Sequence, residues 1–221
     1  MKRHTHFPIK KLVLLAMLAA VAYLIVNLVR IPVIPAAPFL NYEPKDVVIT
    51  IGGFLLGPMA SFLISLVVSL LEMVTISATG PIGGLMNLIS TCSFACTAAF
   101  VYKKRRTING AVLGLITGTI AMSAVMLLWN WLISPLYMGV TREVVQGMLL
   151  PVFLPFNLLK AGFNSAFVLV LYKPLVTALR KTGLINAKTG VKGSAKIGIY
   201  LLGVGLLISC ILLLLVLQGK L

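Results

Sequence analysis

The chain has 221 residues, 60% apolar and only 10% charged. Its mean hydropathy of +1.08 leaves too few polar side chains to cover a water-soluble domain of this size. The formal charge of +15 comes from 19 basic against 4 acidic residues, but the basic residues are spread along the chain rather than gathered into one aromatic-laced patch, which argues against nucleic acid as the partner.

Apolar runs of membrane-crossing length, roughly 17 to 25 residues, recur from end to end, so the chain reads as an all-α membrane protein forming one bundle. After the basic tail MKRHTHFPIKK, a first span is expected from about Leu12 to Leu28. Its start resembles a cleavable signal with AVA at residues 20 to 22, but the apolar run continues without pause through Leu28, so it is read as a retained helix. Ala16 and Ala20 form a small-residue ridge on it. The segment RIPVIPAAPFLNYEPKD follows; Pro32, Pro35, Pro38 and Pro44 restrict its backbone and suit a shaped cover.

Residues 46–77 are read as two helices broken at Gly57 and Pro58, because proline suits a first helical turn and not an interior. The second carries Glu72 about one turn from its outer end, either paired with a base or facing a cavity. Further spans are expected over Gly83 to Tyr102, Ile108 to Trp131, Pro151 to Tyr172 and Ile197 to Leu217. That makes seven crossings. Fourteen basic residues then fall on the side of the tail and of Lys103–Arg106, four on the other, and Lys160 within the membrane. This asymmetry places the N-terminus in the cytoplasm and explains the charge as orientation.

Cys92 and Cys96, one turn apart, and Cys210 read as small apolar fillers, and the histidines, His4 and His6, lie in the tail, so no metal site is expected. Four acids and no membrane histidine cannot assemble a protease, and no GxxxxGK[ST] phosphate loop occurs. An enzyme is not expected.

The informative anomaly is Lys160 inside PVFLPFNLLKAGFNSAFVLVLY. A lysine at a helix centre costs about 2.5 to 3.5 kcal/mol on insertion scales. It either snorkels or faces a cavity, and the climb to the headgroups, about 13 Å of helix, favours the cavity. Asn157, Lys160 and Asn164 share one helical face, and Asn130 at the outer end of the preceding span has a comparable depth. Carboxamides and an ammonium together suit the edge of a planar heterocycle bearing carbonyls and an N–H. Trp129, Trp131 and Tyr137 at that level are either an interfacial belt or stacking faces. Gly110, Gly114 and Gly118 make a second small-residue ridge, open to internal packing or to a partner helix.

The AxxxA first helix, the loop ending in FLNYEPKDVVITIGGFLLGP, NWLISPLY and LLPVFLPFNLLKAGFNSAFVLVLYKPL together resemble the substrate-binding S components of energy-coupling factor (ECF) vitamin transporters, and most of all the riboflavin-binding kind. The likeness spans residues 10 to about 182. It implies a six-helix membrane domain over residues 1–182, with a basic linker at 183–196 and an added transmembrane helix at 197–221 that departs from the family. It further implies that Asn130, Asn157 and Lys160 contact the flavin ring and that the loop before the second helix closes over the site; Asn164, Trp129, Tyr42 and Leu40 are expected to complete the ligand site. By the same likeness, Ala16 and Ala20 face a membrane coupling subunit served by two ATPases, in a prokaryotic cytoplasmic membrane. Riboflavin is then cargo, and no cofactor is implied. The spacing of Glu43, Lys45 and Asp46 differs from the acid position common in that family, so another vitamin such as pantothenate or a thiamine precursor is the alternative. A stand-alone secondary transporter would show an inverted repeat and a coupling acid; no repeat is seen, and only Glu72 is eligible.

Overall fold

The computed structural model describes residues 9–34, 37, 40–77, 80–181 and 197–220. The tail before residue 9, Pro35, Pro38 and the expected linker at 183–196 lie outside the described residues. The helices are α1 (Ile9–Leu28), α2 (Lys45–Leu56), α3 (Pro58–Thr75), α4 (Gly80–Arg105), α5 (Ile108–Met138), α6 (Arg142–Met148), α7 (Leu154–Lys181) and α8 (Ile197–Leu217). A π-helical turn, Leu149–Phe153, joins α6 to α7. A minimal antiparallel pair, β1 (Ile31–Pro32) with β2 (Asn41–Tyr42), ties the two ends of the loop between α1 and α2.

Six helical stretches among the described residues are long and apolar enough to cross a bilayer, with α6, the π turn and α7 counting as one. α2 is the exception. Its 12 residues span only about 18 Å at 1.5 Å per residue. The chain enters it through a loop that is itself sunk into the protein, with Val33, Ile34, Ala37, Leu40 and Tyr42 all buried. The break between α2 and α3 falls at the expected place. Gly57 has a φ of 101°, where an L side chain would be strained, and Pro58 opens α3.

The main core lies where α1, α2, α3, α4, α5 and α7 meet, around Leu14, Ile49, Ile64, Phe94 and Met122. α4 and α5 approach so closely that a Cβ on Gly114 would stand 2.6 Å from Ala98 O and one on Gly118 2.7 Å from Phe94 O. The glycine ridge of α5 is therefore used internally against α4. On the other side, Ala16 and Ala20 of α1 face outward, exposed.

Two features go beyond the expected spans. α5 runs seven residues past Trp131 and carries Pro135 inside it, ending at a left-handed Gly139. The segment around Glu143, expected as a loop, is α6. Its Val145, and Phe153 of the π turn that follows, are fully buried, so tertiary packing holds a short helix that its own propensity would not.

Candidate ligand site

A cavity of about 150 Å³ runs from the helix ends at Arg30, Ile76 and Ser77 inward to Asn157 and Lys160. α7 supplies Phe156, Asn157 and Lys160 on one face, α5 supplies Met126, Asn130 and Tyr137, and α4 supplies Gly83, Met86, Asn87 and Ser90. Leu40, Asn41 and Glu43 of the loop complete the wall. Four of the seven residues expected to touch ligand, Leu40, Asn130, Asn157 and Lys160, are thus brought together.

The other three do not line it. Asn164 is fully buried one step deeper, donating from Nδ2 to Asp46 Oδ2 at 3.2 Å and accepting from the Tyr42 hydroxyl at 3.2 Å. Tyr42 lies behind the loop rather than in the wall, its ring tilted against Phe163 at 5.1 Å. Burial, and then the Asp46 carboxylate, push its phenol up, which keeps it a donor. Trp129 packs on the main core, and its Nε1 is buried with no hydrogen-bond partner among the described residues. Trp131 is partly exposed beneath the Arg142 guanidinium, 5.9 Å from the ring centre, as an interfacial aromatic would be.

Lys160 is only 5% exposed. The sequence suggests a lone ammonium among amides, and here the structure differs: Asp46 Oδ2 stands 3.8 Å from its Nζ. Asp46, fully buried in the first turn of α2, also accepts from Thr91 Oγ1 at 2.7 Å, so one carboxylate ties α2 to α4 and α7. Even so, the Lys160 ammonium makes no hydrogen bond among the described residues. Beside it, Asn157 donates from Nδ2 to Phe153 O at 2.7 Å, within the π turn, and its Oδ1 accepts nothing from them. Asn130 is more fully engaged, donating to Met126 O at 2.7 Å and accepting from Ser134 at 2.8 Å.

A second charged group closes the outer end. Arg30, at the end of α1, donates to Ile76 O at 3.3 Å and pairs with Glu43 Oε1 at 3.2 Å. Glu43 Oε2 lies 3.0 Å from Lys45 Nζ, and Lys45 in turn holds both oxygens of Glu72. Asn87 donates to Glu72 Oε2 at 2.8 Å. Burial raises the Glu43 carboxyl, but the ammonium groups of Lys45 and Lys160, with the Arg30 guanidinium behind them, outweigh it and hold the group below its ordinary range. Of the two readings of Glu72, the base pairing is the one observed.

Asp46, Glu43, Arg30 and Asn87 do not stand out as site residues in the sequence. The signal available is the run YEPKD, an acid, a base and an acid within four positions of a chain that is otherwise short of charge. What it lacks is the partner, since Asp46 and Lys160 are 114 positions apart.

With this geometry in place, comparison with known proteins is decisive for the family. The family model described as "ECF transporter, substrate-specific component" matches residues 10–172. The chain belongs to that family. Its relatives are transporters, not enzymes. This ECF substrate-specific component is 28% identical over 178 residues to the riboflavin transporter RibU of Staphylococcus aureus, an alignment covering 78% of this chain and 93% of that protein. It is 27% identical to the riboflavin transporter FmnP of Bacillus subtilis, over 69% of this chain and 84% of the relative. A solved structure titled "Structure and mechanism of the S component of a bacterial ECF transporter" superposes with a TM-score of 0.66 at 29% identity, covering 77% of this chain and 98% of that one.

Proposed function

We propose that the cavity binds riboflavin or a closely related flavin, and that this chain captures it from outside the cell for an importer driven by separate ATPases through a coupling subunit. The observation that carries the reading is the Lys160 ammonium: buried, on the cavity wall, and without a hydrogen bond among the described residues. Asp46 at 3.8 Å offsets its charge, but a buried ammonium with no hydrogen bond is costly. A flat ring with carbonyl and N–H groups on one edge would accept from Lys160 and donate to the free Asn157 Oδ1, while Leu40, Met126 and Phe156 cover its faces. The names of the relatives, riboflavin transporters, support the same ligand.

Charge supports the outside location. The cavity opens at the end of the bundle opposite Lys103, Lys104, Arg105 and the lysines of the α7 C-terminus, and basic ends stay in the cytoplasm. Delivery by reorientation on the coupling subunit is consistent with the exposed Ala16 and Ala20, which offer a small-residue face to another helix.

The test is direct. Protein purified from flavin-containing cells is expected to be yellow and to quench added riboflavin. Lys160→Ala and Asn157→Ala, with helix content and elution volume unchanged, are each expected to weaken binding by about tenfold or more, one lost hydrogen bond to a charged or buried partner. A colourless protein that leaves riboflavin fluorescence untouched, or that binds pantothenate in its place, sinks the reading.

A further inference from the structure

α8 lies beyond residue 172, where the family match ends. Its outer surface is almost wholly apolar and exposed, as a lipid-facing helix requires. Its inner side is specific. Gly203 sits over α7, where an added Cβ would stand 3.0 Å from Val170 Cγ2 and 3.2 Å from Leu169 Cβ. Seven residues on, Cys210 fills the notch over Gly162, where a Cβ would come within 2.7 Å of its sulfur. The helix therefore follows α7 past the level of Lys160 toward the cavity's outer end.

There it meets the loop that covers the site. Val33, Ile34, Ala37, Leu40 and Tyr42 form one buried apolar cluster with Phe153, Phe163 and Cys210, against which Leu206, Leu214 and Leu217 of α8 pack. Just past the helix end, Gln218 Nε2 donates to Pro32 O at 3.3 Å, in β1. The loop's other anchors include the β1–β2 pairing, the Tyr42–Asn164 hydrogen bond, and the Glu43 pairs with Arg30 and Lys45.

We infer that α8 positions the cover loop: it backs the loop on the side away from the ligand, with Gln218 as the residue that holds β1, and so slows the entry and exit of ligand. The proposal rests on the flavin reading for its ligand, and on the packing alone for the restraint of the loop. A brace on a lid acts on both rates of exchange more than on affinity, because it opposes opening whether the cavity is full or empty.

Two variants of the full-length chain test it. Gly203→Leu forces α8 away from α7, and Gln218→Ala removes the tether at a half-buried position just past the end of α8. Without ligand, hydrogen–deuterium exchange at the Val33 and Leu40 amides is expected to quicken in both, reporting the Val33 N–H to Leu40 O bond of 3.2 Å and the Leu40 N–H to Ala37 O bond of 2.9 Å, while α3 to α5 keep their protection. In stopped-flow quenching, riboflavin is expected to bind and leave faster, roughly tenfold for Gly203→Leu and less for Gln218→Ala, with a smaller change in Kd. Unchanged loop exchange in both variants overturns the proposal. Faster loop exchange with native flavin rates also overturns it, by showing that the brace does not govern the ligand. If the native chain fails to bind flavin, the ligand reading fails by itself, and the exchange measurement still decides whether α8 restrains the loop.

Discussion

Lys45 is 1% exposed, and its ammonium is shared between Glu72 and Glu43, so the two carboxylates balance a charge that apolar surroundings would otherwise reject. Lys45→Met is expected to cost about 3 to 5 kcal/mol, because it strands a buried carboxylate. The double variant Lys45→Met/Glu72→Gln is expected to regain part of that loss, as read from thermal unfolding in detergent; a double variant as unstable as the sum of the singles would show that the pair is not coupled. A polar residue in an apolar run is conspicuous, which is why Asn130, Asn157 and Lys160 stand out from the sequence alone. Their partners are harder to see. Asp46 sits among other charges beside a proline, where it reads as ordinary loop, and only the fold reveals that it is fully buried facing α7.

Elements are legible in proportion to how much lipid they face. α1, α3, α4, α5, α7 and α8 announce themselves as long apolar runs, and the α2–α3 break follows from Gly57 and Pro58. α6 and the π turn are not legible, because a short helix held by the burial of Val145 and Phe153 leaves no periodic signal of its own. The glycine ridge of α5 is visible but ambiguous, and contact with α4 resolves it. Gly118→Leu is expected to push the two helices apart, since even a Cβ there would lie 2.7 Å from the Phe94 carbonyl oxygen. That overpacking is expected to cost about 1 to 3 kcal/mol or more. A lowered unfolding midpoint checks it; a native midpoint would mean that α4 can move aside freely.

At the scale of the whole molecule, described basic residues divide between two ends. Lys10, Lys11, Lys103, Lys104 and Arg105 mark one, and the cavity with Arg30 marks the other. In a background with Cys92, Cys96 and Cys210 replaced by serine, a cysteine at Lys104 is expected to resist a membrane-impermeant maleimide in intact cells, and one at Thr141 to react. The reverse pattern would invert the proposed orientation. Beyond Lys160 the interior is filled: Asp46, Thr91 and Asn164 lie next, Phe94 and Met122 are wholly buried, and at the far end Phe54 stacks on Tyr102 at 4.4 Å with Tyr172 edge-on. Among the described residues the protein is built as a cup with a packed base. Under the proposed reading, a ligand poured into such a cup leaves over the rim it entered by, so delivery to the opposite compartment would require the rim itself to be carried there, one molecule for each tilt.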